Sequence, residues 1–68
     1  MADSVFKKTQ VVGTSPESYA KATANAVAKA AQVEKGASWF EVVELRGAIR
    51  DGKVHEYQVT INVGAKLE

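Results

Sequence analysis

Residues 38–68 read SWFEVVELRGAIRDGKVHEYQVTINVGAKLE. Two long runs that alternate apolar and polar residues flank the pair Asp51-Gly52. Such a pair between alternating runs is a strong local signal for a β-hairpin, because glycine, and less readily aspartate, accepts the positive φ of a tight turn. The second run is regular. Tyr57, Val59, Ile61, Val63, Ala65 and Leu67 share one parity, while Glu56, Gln58, Thr60, Asn62 and Lys66 hold the other, so one face points in and one out. The first run is less regular. Val43, Leu45 and Ile49 share a parity with Trp39 and Glu41, opposite Phe40, Val42, Glu44, Arg46 and Arg50.

Pairing back from a two-residue turn at Asp51-Gly52 would set Leu45 against Gln58 and Val43 against Thr60. Apolar side chains would then share a face with polar ones. A one-residue bulge repairs this, and Gly47 is its natural place, bringing Leu45 to Tyr57 and Val43 to Val59. Phe40, Val42, Glu44 and Arg46 would then share a face with Gln58, Thr60 and Asn62. That mixed face is suited to meeting a ligand or another subunit.

Working outward, residues 13–17 read GTSPE. Ser15 is placed to cap a helix whose first position is Pro16, where the missing N–H costs nothing. Glu17 suits the positive end of the helix dipole, Lys29 and Lys35 the negative end, and Gly36 the left-handed residue beyond it. A helix over 16–35 would be roughly 30 Å long. It is rich in alanine, a good helix former that buries little area. Tyr19, Thr23, Ala26, Val27, Ala30 and Val33 or Glu34 would form its inner face. Before it, Val5–Val12 reads as a short strand, and Lys7-Lys8 suits a sheet edge. The order β-α-β-β implies an α+β fold, with a three-stranded antiparallel sheet around one helix in a single domain over 1–68.

The chain has 68 residues, no cysteine and one histidine. A domain of this length buries only about 60% of the surface its unfolded form exposes. Disulfides and single-chain Cys or His metal sites are excluded, which leaves oligomerisation as the usual support for so small a core. A net charge of +1 offers no electrostatic footprint for nucleic acid. No apolar run reaches the ~20 residues of a membrane span, and the first residues lack a signal-peptide core. A soluble, cytoplasmic protein is expected.

The candidate site residues each have a plain alternative. Trp39 starts a strand, where an indole can pack at a rim or offer its face to a planar ligand. Gln58 carries a donor and an acceptor that match a heterocycle edge, or is simply an exposed strand residue. Glu44 and Arg46 form either a weak surface ion pair or a recognition site for a hydroxylated or phosphorylated tail. His55 lies near the turn, with no acid, thiol or second histidine to make it catalytic. No nucleophile–base–orienter set or phosphate loop is present, so an enzyme is not expected.

With these motifs in place, GTSPESY, W-x-E-V-x-E-x-R-G and E-Y-Q-V-T together resemble the dodecins, over about Val5 to Glu68. The resemblance implies twelve copies in a hollow shell of cubic symmetry. It also implies flavin pairs held between symmetry-related tryptophans, for storage and for quenching of flavin photochemistry rather than for catalysis. It places the stacking tryptophan on Trp39, the glutamine at the isoalloxazine edge on Gln58, the acid near the ribityl chain on Glu44 and the phosphate-binding arginine on Arg46. That set favours FMN, with FAD or riboflavin as the other flavins. Lys66 falls where some bacterial members bind coenzyme A, although Ala65 stands where many carry Phe, which opens space at that end. A structural shell that has lost flavin binding is the alternative.

Overall fold

In the computed structural model, which describes residues 3–67, the elements run β1 (Val5–Ser15), α1 (Tyr19–Val33), β2 (Ala37–Arg50) and β3 (Lys53–Leu67). The strands form one antiparallel sheet in the order β1-β3-β2, so the regular strand β3 is central. The expected β-α-β-β architecture is therefore the observed one. β1 is longer than its sequence pattern suggests and ends at Ser15 rather than Val12.

The helix starts later than expected. Ser18, not Ser15, is the N-cap: its backbone is extended and its Oγ accepts from the Lys21 N–H at 3.0 Å. Ser15 instead closes β1, buried, with its Oγ accepting from the Glu17 N–H at 3.0 Å. Pro16 and Glu17 therefore lie in the connection, where the fixed φ of proline helps turn the chain. The helix ends at Val33 with Glu34 as C-cap, and Gly36 takes the positive φ expected beyond it, +85°. The hairpin turn is also as expected, with φ of 53° at Asp51 and 73° at Gly52.

The inner face of the helix is Ala22, Ala26 and Ala30, one residue every four, packed on Val59, Ile61 and Val63 of β3. Of the residues expected there, Val27 packs only partly on this cluster, and Tyr19 and Val33 are exposed. Small side chains win the inner stripe because the helix lies very close to the sheet. A Cβ added to Gly13 of β1 would overlap the Ala22 carbonyl oxygen and come to 2.6 Å from Ala26 Cβ. The helix covers β1 and β3 but leaves β2 largely bare. Phe40, Val42 and Leu45 face the same side as Val63, Ile61 and Val59, yet each stays about half exposed.

The hairpin register contains the expected parity repair, but not at Gly47. Gly47 pairs with Tyr57, and the extra residue near the turn is His55 on β3, between the pairs Ala48↔Glu56 and Ile49↔Val54. The slip runs in the opposite sense, so Leu45 meets Val59 rather than Tyr57. A second irregularity leaves Val43 as an extra residue on β2, between Val42↔Ile61 and Glu44↔Thr60. Between these two points the strand is turned over. Glu44 and Arg46 face away from the helix and Leu45 faces in; in the straight register both charged groups would have pointed into the helix face. The bulge at Val43 also corrects the expected grouping. Phe40 and Val42 belong to the helix side, and Trp39 and Glu41 take the outer face.

Candidate functional site

The outer face of the sheet carries every site residue named from the sequence, but in two separate groups. At one end, Trp39 pairs with Gly64, and next along β3 is Lys66, opposite Phe6. A further irregularity, at Ser38, separates the helix-side pair Ala37↔Ala65 from the outer-face pair Trp39↔Gly64. The indole rests over Gly64: a Cβ there would overlap its Cε2 and Cζ2 and approach its Cδ2 to 2.6 Å. The Phe6 ring leans on it, with centroids 5.6 Å apart and planes at 56°. Trp39 nevertheless stays 38% exposed.

At the other end, Arg46 pairs with Gln58 and Glu44 with Thr60. Arg46 Nη1 lies 3.7 Å from Glu44 Oε1, and both side chains are more than half exposed, so the pair contributes little to stability. The Gln58 amide donates to Glu56 Oε1 at 3.0 Å. Gln58 and Gly64 are six residues apart on β3, which is roughly 20 Å at ~3.3 Å per residue. Within one chain, then, Glu44, Arg46 and Gln58 lie at one end of the outer face and Trp39 and Lys66 at the other, and the structure does not bring the two groups together.

A polar cross-tie separates them. Glu41 Oε2 accepts from Lys8 Nζ at 2.6 Å and from Asn62 Nδ2 at 3.0 Å, and Asn62 Oδ1 accepts from Gln10 Nε2 at 3.1 Å. It links all three strands, and the hydrogen bond from Lys8, helped by that from Asn62, holds the Glu41 carboxyl below its ordinary value. A second tie joins β1 to the helix end. There the Glu34 carboxyl is lowered first by the Thr9 hydroxyl, 2.9 Å away, and then by Lys7.

On the helix side, an apolar notch of about 180 Å³ lies between the helix and the start of β2, lined by Val27, Ala31, Ala37, Phe40 and Val63 among others. Ala65 is buried on this side, opposite Ala37 and Lys7. Among the described residues no group of three or more His, Asp or Glu is placed to hold a metal ion. No helix among them is long and apolar enough to cross a membrane.

Sequence reasoning missed Phe6, Gly64 and the Glu41 tie. Gly64 had a visible signal, since an isolated glycine in an otherwise regular strand marks a close approach. Phe6 and Glu41 had none, because their roles depend on which strands are neighbours.

A thin helix-on-sheet chain, with an exposed indole and a distant amide–guanidinium group on one sheet face, defines a class of small α+β proteins built as β-α-β-β. The family model for dodecin matches residues 5–68, and the chain belongs to the dodecin family. It is 45% identical over 64 residues to the dodecin of Thermus thermophilus, across 94% of this chain and 93% of that one. The solved dodecin of Streptomyces coelicolor superposes with a TM-score of 0.90 at 43% identity, covering 100% of this chain and 97% of the other. The dodecin of Streptomyces davaonensis gives 0.90 at 40% identity, with 98% of each chain covered.

Proposed function

We propose that this dodecin is a flavin-binding storage and buffering protein that works as a homododecamer, takes FMN, and is not an enzyme. The observation that carries the reading is the indole of Trp39. It lies over Gly64 on the outer sheet face, partly exposed at the rim, as a platform for a planar aromatic ring. Its own chain offers no hydrogen-bonding group for such a ring from the Gln58 cluster, which is roughly 20 Å away. A site that uses both must be assembled from more than one copy. The bare inner side of β2, with Phe40, Val42 and Leu45 half exposed, supplies apolar surface for that assembly.

The donor set fits an isoalloxazine with a phosphorylated tail. An electron-rich indole stacks on an electron-poor tricycle, and stacking contributes on the order of 1 kcal/mol beyond area burial. The Gln58 amide matches the donor–acceptor edge of the ring, and the Arg46 guanidinium suits a phosphate as a bidentate partner. Glu44, beside it, would accept from ribityl hydroxyls. Lys66, at the tryptophan end, is the basic group available to coenzyme A, the second ligand of this reading. When bound, the flavin supplies a light-excitable electron acceptor. Trp39 is the residue that would stack on that ring, and its electron-rich indole would be the donor that quenches the bound flavin's fluorescence.

The test is a titration of FMN fluorescence with purified protein, alongside the mass from light scattering. Quenching that saturates, on a particle of twelve chains, is the expected result. Trp39→Ala should keep the mass and lose most of the quenching. A monomeric protein, or a full shell that leaves FMN bright, overturns the proposal.

A further inference from the structure

We infer that Gly64 and Phe6 are positioning residues for the Trp39 indole, Gly64 as the seat under the ring and Phe6 as the stop beside it. The inference rests on the flavin-stacking reading for its effect on the ligand, but the seat itself has a signature independent of flavin.

Gly64 lies well inside β3, where glycine is unfavourable because it loses more backbone freedom than other residues and packs no side chain. Gly36 and Gly52 have positive φ, but the Gly64 backbone does not lie in that region, so an L residue would meet no conformational strain. What an added Cβ does meet is the indole. It would overlap Cε2 and Cζ2 and reach Cδ2 at 2.6 Å. The three nearest atoms all belong to Trp39 and are contiguous in its ring system, so the Cβ direction runs into the ring itself. The glycine thus lets the ring settle onto the strand. An alanine would have to lift it by at least about 1 Å to restore ordinary carbon–carbon contact near 3.5 Å. Sideways, the Phe6 ring leans at 56° with its centroid 5.6 Å away, within the range of a tilted aromatic pair.

A stacked ligand samples the height and tilt of the platform, and a shift of about 1 Å in a binding group is enough to change affinity by large factors. Gly64 therefore determines how far the stacking face stands from the sheet, and Phe6 which way it tilts.

Because Trp39 is the only tryptophan, its near-ultraviolet circular dichroism reports the seat directly. Gly64→Ala is expected to keep the assembled mass and far-ultraviolet spectrum, to change the near-ultraviolet tryptophan band, and to raise the Kd for FMN by at least about tenfold, equivalent to ~1.4 kcal/mol. Phe6→Leu keeps an apolar side chain there and is expected to shift the same two readings in the same direction by less. A Gly64→Ala protein with the wild-type tryptophan band and the wild-type FMN titration overturns the inference. Should Gly64→Ala fail to assemble, Phe6→Leu decides, and an unchanged tryptophan band in that variant overturns it. Should the wild-type protein leave FMN unquenched, the flavin reading falls, while the seat still stands or falls by the tryptophan band of the two variants.

Discussion

Gly13→Ala tests how closely the helix must approach the sheet. Gly13 is buried on β1, opposite Val59, and beneath the helix. An added Cβ would overlap the Ala22 carbonyl oxygen and come to 2.6 Å from Ala26 Cβ and 2.9 Å from Ala26 N. Two of these three partners are helix backbone atoms, so no flexible side chain can swing aside and the helix itself must lift. Overpacking of a core costs typically 1–3 kcal/mol, and a rigid backbone partner puts this site at about 3. Alanine recovers roughly 0.4–1 kcal/mol by reducing the freedom of the unfolded chain. A net loss of about 2 kcal/mol remains, which lowers the midpoint of a domain this size by roughly 8–16 °C. The assay is thermal and urea unfolding of wild type and variant at one fixed protein concentration, because the proposed assembly would make the midpoint concentration-dependent. Gly47→Ala is the comparison, since its added Cβ meets only the Glu56 carbonyl oxygen, at 2.9 Å, and its loss should be smaller. A Gly13→Ala midpoint at or above that of wild type would refute the close-approach argument.

Ser18→Ala removes the helix N-cap and should cost about 1 kcal/mol, read as a drop of roughly 4–8 °C in midpoint; no drop would mean that the cap hydrogen bond to Lys21 is not formed in solution. Glu34 and Glu41 are both held below their ordinary value, 4.5. Their contribution is therefore fully present above that pH and declines as the pH falls through their lowered folded values. Glu41→Gln should flatten the acid side of the stability–pH curve below about pH 4.5, and an unchanged slope there would count against the Lys8–Glu41–Asn62 tie. Phe40→Ser and Leu45→Ser act on the bare side of β2 and should shift the assembled mass toward smaller species by light scattering. Full-sized particles with undiminished resistance to dissociation would show that this surface is not used in assembly.

Particular elements show what was legible in advance. The turn at Asp51-Gly52, the alternation of β3 and the left-handed residue at Gly36 are local matters, set by which residues tolerate positive φ and by a period of two, and all three are as expected. The helix start was misplaced because Ser15 and Ser18 are both good caps with a proline between. The choice between them is made by β1, which continues through Ser15 to pair with Tyr57. The apolar pattern of the hairpin demanded a bulge but left its strand and position open. Extra residues at Val43 and His55 satisfy the pattern as well as one at Gly47 would, and the difference decides whether Trp39 shares a face with Gln58.

Sequence by itself thus determined the elements and their order, and it carries the side chains whose chemistry suits stacking, hydrogen bonding and a phosphate, because these follow from side-chain chemistry and short-range geometry. Tertiary structure alone decided that the bulge at Val43 puts Trp39, Glu44, Arg46 and Gln58 on one outer face, that the indole lies over Gly64 and against Phe6, and that Trp39 and the Gln58 group lie roughly 20 Å apart in one chain. Those facts depend on strand register and neighbour identity. The central strand β3 imposes both on two edge strands that are far from each other in sequence.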